Sequence, residues 1–266
     1  MATNSGRGAL GRTPVVNGPT SSGHPADSTG RSAARRRLGA LVVVVVGAIG
    51  AGAGLGGVVP AVAGASGSSG ATEAKHDLLA LSDFPKGWKV THSTSTSTSA
   101  SKTTKKTVRA IASCEGVSAA RIDTSAPTAS STFSDTKAAE VATENVVVFP
   151  STTMAKAAFK LFSSTTAPSC VGAQFAESAS HTSSSGITSS KITTARLAFP
   201  KVGAASTALK VTFPISTSGQ TITIEGDFVV MRQGKVLGLL AVISLPTRFP
   251  TTFSHSLAKK AAGLLH

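Results

Sequence analysis

Few residues in this 266-residue chain have the type and spacing to do chemistry. Glu225 and Asp227 flank Gly226, and at that spacing two carboxylates share one face of an extended strand. Such a pair would hold a cation or act as paired acids. On a solvated strand face, or with one acid paired to a nearby Lys or Arg, it would do neither, and that plainer reading is adopted. His76, His92, His181, His255 and His266 are scattered through loops and termini, without the spacing of a metal-ligand set. Cys114 and Cys170, 56 residues apart, lack the Cys-x-x-Cys spacing of a reactive dithiol. Serines are abundant, but a nucleophile needs a base within reach and none is nominated.

The motif search is equally sparse. There is no G-x-S-x-G elbow, no H-E-x-x-H and no Walker A sequence. Gly52-Ala53-Gly54-Leu55-Gly56-Gly57 satisfies G-x-G-x-x-G after a run of valines. That fingerprint works only when the glycines lead into a helix whose N–H groups hold a pyrophosphate, with an acid about 20 residues on. Here Pro60 and a Gly/Ser run follow, and the first carboxylate is Glu73. No catalytic, cofactor-binding or metal-ligating residue is therefore assigned, and no cofactor is implied. The sequence predicts a protein that is not an enzyme.

The same glycine-containing stretch has a simpler reading. From Leu38 to Thr72 no residue is charged, and Arg35, Arg36 and Arg37 stand on one side only. Roughly 20 apolar residues suffice to cross a bilayer, and cationic flanks stay cytoplasmic. Residues 38–63 are thus expected to be a transmembrane segment or a signal, with residues 1–34 in the cytoplasm and residues 66–266 outside. Ala61-Val62-Ala63 fits a small-x-small cleavage site, whereas the length of the run and of the leader favours retention. Arg36-Arg37-Leu38-Gly39 is a loose match to a twin-arginine signal. No cysteine ends the run, so a lipid anchor is not expected. The G-x-x-x-G pairs Gly50/Gly54 and Gly52/Gly56 would pack two such helices, but the plainer reading, that they dilute hydrophobicity, is adopted.

Export reframes the two cysteines. An even count in an oxidising compartment reads as a disulfide, and closing a loop of this size stabilises by roughly 4 kcal/mol in the chain-entropy model. Export also reframes the net charge of +14, of which the residues before Leu38 supply +5 (six Arg, one Asp) and the rest +9. Apart from Lys102, Lys105, Lys106 and Arg109, the later cations are scattered, and one Trp with no Tyr leaves little for base stacking. Nucleic acid is not an expected partner. The expected partners are the membrane, through residues 38–63, and a lipid or an anionic cell-wall ligand drawn by diffuse charge.

Residues 1–37 are rich in Gly, Ser, Thr, Pro and Arg without periodicity and read as a disordered leader. Residues 64–75 repeat that composition and read as a linker. Thr91 to Lys106 reads as a mobile loop or hairpin end inside the domain that spans residues 76–266. Within that domain Val146 to Phe149 suits a buried strand. Pro150 and a capping hydroxyl then open a helix whose apolar residues Met154, Ala158, Leu161 and Phe162 share one face. Leu209 to Ile215 alternate, as do Ile222 and Ile224, and Phe228 to Met231 meets Val236 to Ile243 across Arg232-Gln233-Gly234-Lys235. Three consecutive antiparallel strands result. A last helix follows Pro250 with Phe253, Leu257, Ala261 and Leu264 on one face. Trp88, after Pro85-Lys86-Gly87, reads as a plug at the edge of the core rather than an exposed anchor. Together these elements make an α+β fold, an antiparallel sheet packed with helices on one or both faces.

Four features in combination resemble the PknH-like extracellular sensor domain. They are "LLALSDFPKGW" (Leu78–Trp88), a cysteine near a short helix, the stretch Val146–Cys170, and "DFVVMRQGKVLGLLAVIS" before the final helix. The resemblance covers about residues 76–265, and its motifs are apolar spacings more than fixed chemistry. Members occur on bacterial transmembrane kinases and as free-standing exported proteins. Many carry two disulfides, whereas this chain has cysteines for one and no kinase domain. What the resemblance implies is a sensor-like binding domain at the cell envelope with a cleft between sheet and helices. Apolar faces meeting there place the expected binding surface where the C-terminal sheet joins the Met154–Phe162 helix.

Overall fold

The computed structural model describes residues 65–97, 102–118, 122, 126–180, 188–189, 191–217, 220–244 and 249–266. The leader, the apolar segment 38–63 and the cleavage site after Ala63 lie outside the described residues. In chain order the elements are α1 (Ala65–His76), a short 3-10 turn (Leu81–Asp83), β1 (Lys89–Ser97), α2 (Lys102–Cys114), β2 (Thr128–Asp135) and β3 (Glu140–Val148). There follow α3 (Thr152–Ser163), α4 (Ala167–Ser180), β4 (Thr188–Ser189), β5 (Thr193–Leu197), β6 (Ala205–Thr217), β7 (Gln220–Gln233), β8 (Val236–Ser244) and α5 (Thr251–Leu264). Among the described residues no helix is long and apolar enough to cross a membrane.

One antiparallel sheet organises the whole, in the order β1-β2-β3-β8-β7-β6, with β4 and β5 sharing the outer edge of β6. Two meanders, β1-β2-β3 and β6-β7-β8, meet through the antiparallel β3–β8 pairing, in which Glu140 faces Ser244 and Val148 faces Val236. The β7–β8 hairpin turns at Gly234, whose φ of +50° suits glycine.

Strand alternation sends side chains to two cores. One face buries Val141, Leu209, Val211, Ile224, Val230 and Ile243 against α2, α3 and α4. The other buries Phe133, Ala142, Val146, Val229, Met231, Leu240 and Val242 against α1, the Leu78–Trp88 strap and α5. The architecture is therefore α+β in three layers, with helices on both sheet faces. Trp88 is 6 % exposed and stacks among Phe84, Phe249 and Phe253, which makes it a core residue.

Three expected elements hold as read. Helix α3 begins after Ser151, whose Oγ accepts the Met154 N–H at 3.3 Å, and it buries Ala155, Ala158 and Leu161. Strands β6 to β8 form the C-terminal meander, and α5 buries Leu257 and Ala261.

Two stretches differ from expectation. The 64–75 linker is helical from Ala65 on, and Ala74 is fully buried against the sheet. Burial of its alanine face overrides the poor helix propensity of Gly and Ser. The loop expected over Thr91–Lys106 is divided between β1 and the first turns of α2, with residues 98–101 between them undescribed. The alternating Thr and Ser of β1 form an edge strand paired only with β2, interrupted by two register irregularities that blunt the edge.

Candidate functional site

The two acids and the two cysteines singled out from the sequence have structural partners. Glu225 pairs with Lys210 across the β6–β7 ladder at 2.5 Å, as the plainer reading required. Asp227 is buried and accepts a hydrogen bond from Ser254 Oγ at 2.9 Å, tying β7 to α5. The ring of the adjacent His255 packs edge-on against Phe199, with centroids 4.5 Å apart. His76 closes α1, and the His266 N–H donates to Asp77 Oδ2 at 3.3 Å. His181 and the side chain of His92 lie outside the described residues. Among those described, no group of three or more His, Cys, Asp or Glu could hold a metal ion.

Cys114, at the end of α2, is bonded to Cys170 in α4, with Cα atoms 5.7 Å apart. Beside the bridge, Thr166 Oγ1 donates to Glu115 Oε2 at 2.8 Å. Arg196 of β5 donates to the carbonyls of Phe162 and Ser164, where the last turn of α3 leaves oxygens without helical partners. A cation there also complements the helix dipole. This polar set fastens α3, α4 and β5 together.

The surface expected to bind, where the Met154–Phe162 helix meets the sheet, is closed at its centre. Leu161 is 1 % exposed and packs with Ala155, Ala158 and the strands beneath. A groove lies on the opposite layer, along α5.

Sequence reasoning missed the most unusual ionisable group. Glu144, in the middle of β3, is fully buried, flanked by Ser131 of β2 and Leu240 of β8. Its Oε2 accepts the Leu79 N–H at 2.6 Å, while Oε1 has no hydrogen-bond partner. Burial pushes its carboxyl up to about 8, opposed by the Leu79 bond and reinforced by Asp83 and Asp77. Asp77 is itself shifted upward, chiefly by burial. Glu144 is therefore neutral at pH 7, sealed from solvent, and out of reach of any substrate. The available signal was an acid in mid-strand within "EVATENVVV", a strand that becomes central only when β8 pairs with it.

The strap above Glu144 is held by carboxylates. Lys235 reaches Glu73 at 3.0 Å and Lys260 reaches Asp83 at 3.2 Å, while Asp83 Oδ2 accepts the Ala80 N–H at 2.8 Å. α1 and its following turn are thereby clasped onto the β7–β8 turn and α5.

On the same layer an open groove of about 1210 Å3 runs along α5, facing the loop before β6. Lys201, Gly203, Gln233, His255, Ser256 and Lys259 line it. The loop wall is pinned: Ser206 Oγ accepts the Val202 N–H and donates to the Pro200 carbonyl, while Ala204 N–H reaches both the Arg232 carbonyl and Gln233 Oε1.

No protein-family model matches the chain, and no curated protein matches it in sequence. Among solved structures it is similar to the extracellular domain of PknH from Mycobacterium tuberculosis, with a TM-score of 0.42 and 11% identity over 78% of this chain and 98% of that one. It is a distant likeness that assigns neither a family nor a function.

Proposed function

We propose that the chain is an exported, non-catalytic binding domain of the cell envelope, held to the membrane by residues 38–63 or released from it. The observation that carries the reading is the engagement of its acids in the architecture. Glu225 pairs with Lys210, Asp227 with Ser254, and Glu144 is sealed beneath Leu79. General acid–base work needs such a group within reach of a bound substrate, and these are committed elsewhere. The Cys114–Cys170 bond and the uncharged run behind three arginines support an oxidising, extracytoplasmic setting.

Protease added to intact protoplasts is the test. Digestion of residues 66–266 with the leader spared is expected, and a protected domain would overturn the reading. Hydrolysis by the purified protein that disappears when Glu225 and Asp227 are both replaced by Ala would instead make it an enzyme.

A further inference from the structure

We infer that the groove along α5 is a binding site for an extended polyanion. This deepens the envelope-binding reading and rests on it for the source of the ligand. The groove presents cations from both walls, Lys201 from the loop before β6 and Lys259 from α5. Among the described residues no Asp or Glu lines it. Two other lysines on this layer are neutralised, Lys260 by Asp83 and Lys235 by Glu73. Lys201 and Lys259 form no ion pair with a described residue.

Hydrogen-bonding capacity accompanies the charge. His255 lines the groove with an imidazole able to donate or accept a hydrogen bond. Gln233, Ser256 and Thr252 add neutral polar groups along the lining.

Shape selects the class. The loop wall is fixed in advance by the bonds to Ser206, Arg232 and Gln233, so little ordering cost is incurred on binding. An open trough with a cation on each wall fits a chain carrying anionic oxygens better than a compact metabolite. Its concavity fits a polymer better than the plane of a membrane, where large exposed apolar side chains beside the cations would be expected. The two exposed ones described, Leu81 and Val90, lie outside the groove lining.

The test uses the full-length chain in zwitterionic detergent, with fluorescently labelled inorganic polyphosphate as the soluble polyanion. Vesicles containing one part phosphatidylglycerol to four parts phosphatidylcholine serve as the lipid source. Wild-type protein is expected to bind polyphosphate, more weakly at high salt. The Lys201→Glu/Lys259→Glu variant should lose affinity on the order of ten-fold or more. A control, Lys156→Glu/Lys160→Glu on the exposed face of α3, makes the same change in net charge and should stay within about two-fold. His255→Phe should weaken binding several-fold while leaving thermal unfolding of the protein close to wild type.

Equal losses in groove and control variants would reduce the attraction to diffuse charge and overturn the site. Binding to vesicles without binding to polyphosphate would overturn the polymer assignment, as would no binding to either. None of these results bears on whether the domain is exported, which the protease experiment decides separately.

Discussion

Replacing Glu144 by Gln should stabilise the protein at neutral pH, although the side chain is at the centre of the sheet. The carboxyl titrates near 4.5 in the unfolded chain and at about 8 in the folded protein. A group raised on folding contributes fully below its unfolded value, and stability falls as pH climbs toward the folded one. Each pH unit in that window removes about 1.4 kcal/mol, which makes about 3 kcal/mol by pH 7 and about 5 kcal/mol by pH 8 and above. Glutamine keeps an oxygen for the Leu79 N–H and has no charge to desolvate.

Glu144→Gln should therefore match the wild type within about 1 kcal/mol at pH 4.5 and exceed it by about 3 kcal/mol at pH 7, a rise of roughly 6–12 °C in Tm. Glu144→Leu should gain about 1–2 kcal/mol less, because the Leu79 N–H would be buried without an acceptor. Urea unfolding at pH 4.5, 7 and 9 measures this. Trp88, the single tryptophan, is buried under the same strap, so its emission follows the transition. A Gln variant less stable than wild type at pH 7, or a gap between the two that does not widen with pH, refutes the reasoning.

Two further outcomes concern covalent and backbone constraints. The Cys114→Ala/Cys170→Ala variant should lose about 4 kcal/mol in the same urea assay, and a loss under about 1 kcal/mol would contradict the chain-entropy estimate. Gly203 has φ of +62°, and a Cβ there would stand 3.1 Å from the Arg232 carbonyl. Gly203→Ala should cost about 1–2 kcal/mol and lower Tm, with Gly203→Asn milder because asparagine tolerates that conformation.

The parts of the fold legible in the sequence are those where apolar residues carry the period. The β6–β8 meander, α3 with its Ser151 cap, and α5 all announce themselves by alternation or by i, i+4 spacing. The N-terminal half hides because its buried residues are small or hydroxylated. In β2, "TASSTFSD" buries Ser131, Thr132 and Ser134, and Thr132 satisfies its hydroxyl on Thr143 at 3.2 Å. By composition that segment reads as surface. α1 looks like a linker until Ala74 is placed against β2 and β3. The disulfide was legible from count and compartment. The groove was not, because Lys201, Gln233 and His255 belong to a loop, a hairpin and a helix that no local pattern relates. Glu144 escaped for a similar reason, since its burial depends on pairing with a strand about 95 residues later.

The position of the disulfide within the chain order has a mechanical meaning. A pull from the N-terminal side, such as a membrane tether would exert, loads α1 first, then the Leu78–Trp88 strap, then edge strand β1. β1 enters the sheet at Lys89 opposite Ser134, so this edge strand is the first part of the sheet to meet the load. Unravelling from that end stops at the cross-link. The bond removes roughly 190 Å of extensible chain, at about 3.4 Å for each of the 56 residues it bypasses. Load then passes directly from Cys114 to Cys170, leaving β2, β3 and α3 in an unstretched loop. The molecule thus divides into a yielding N-terminal layer and a cross-linked remainder, and Trp88 leaves its place against Phe253 of α5 when the first gives way.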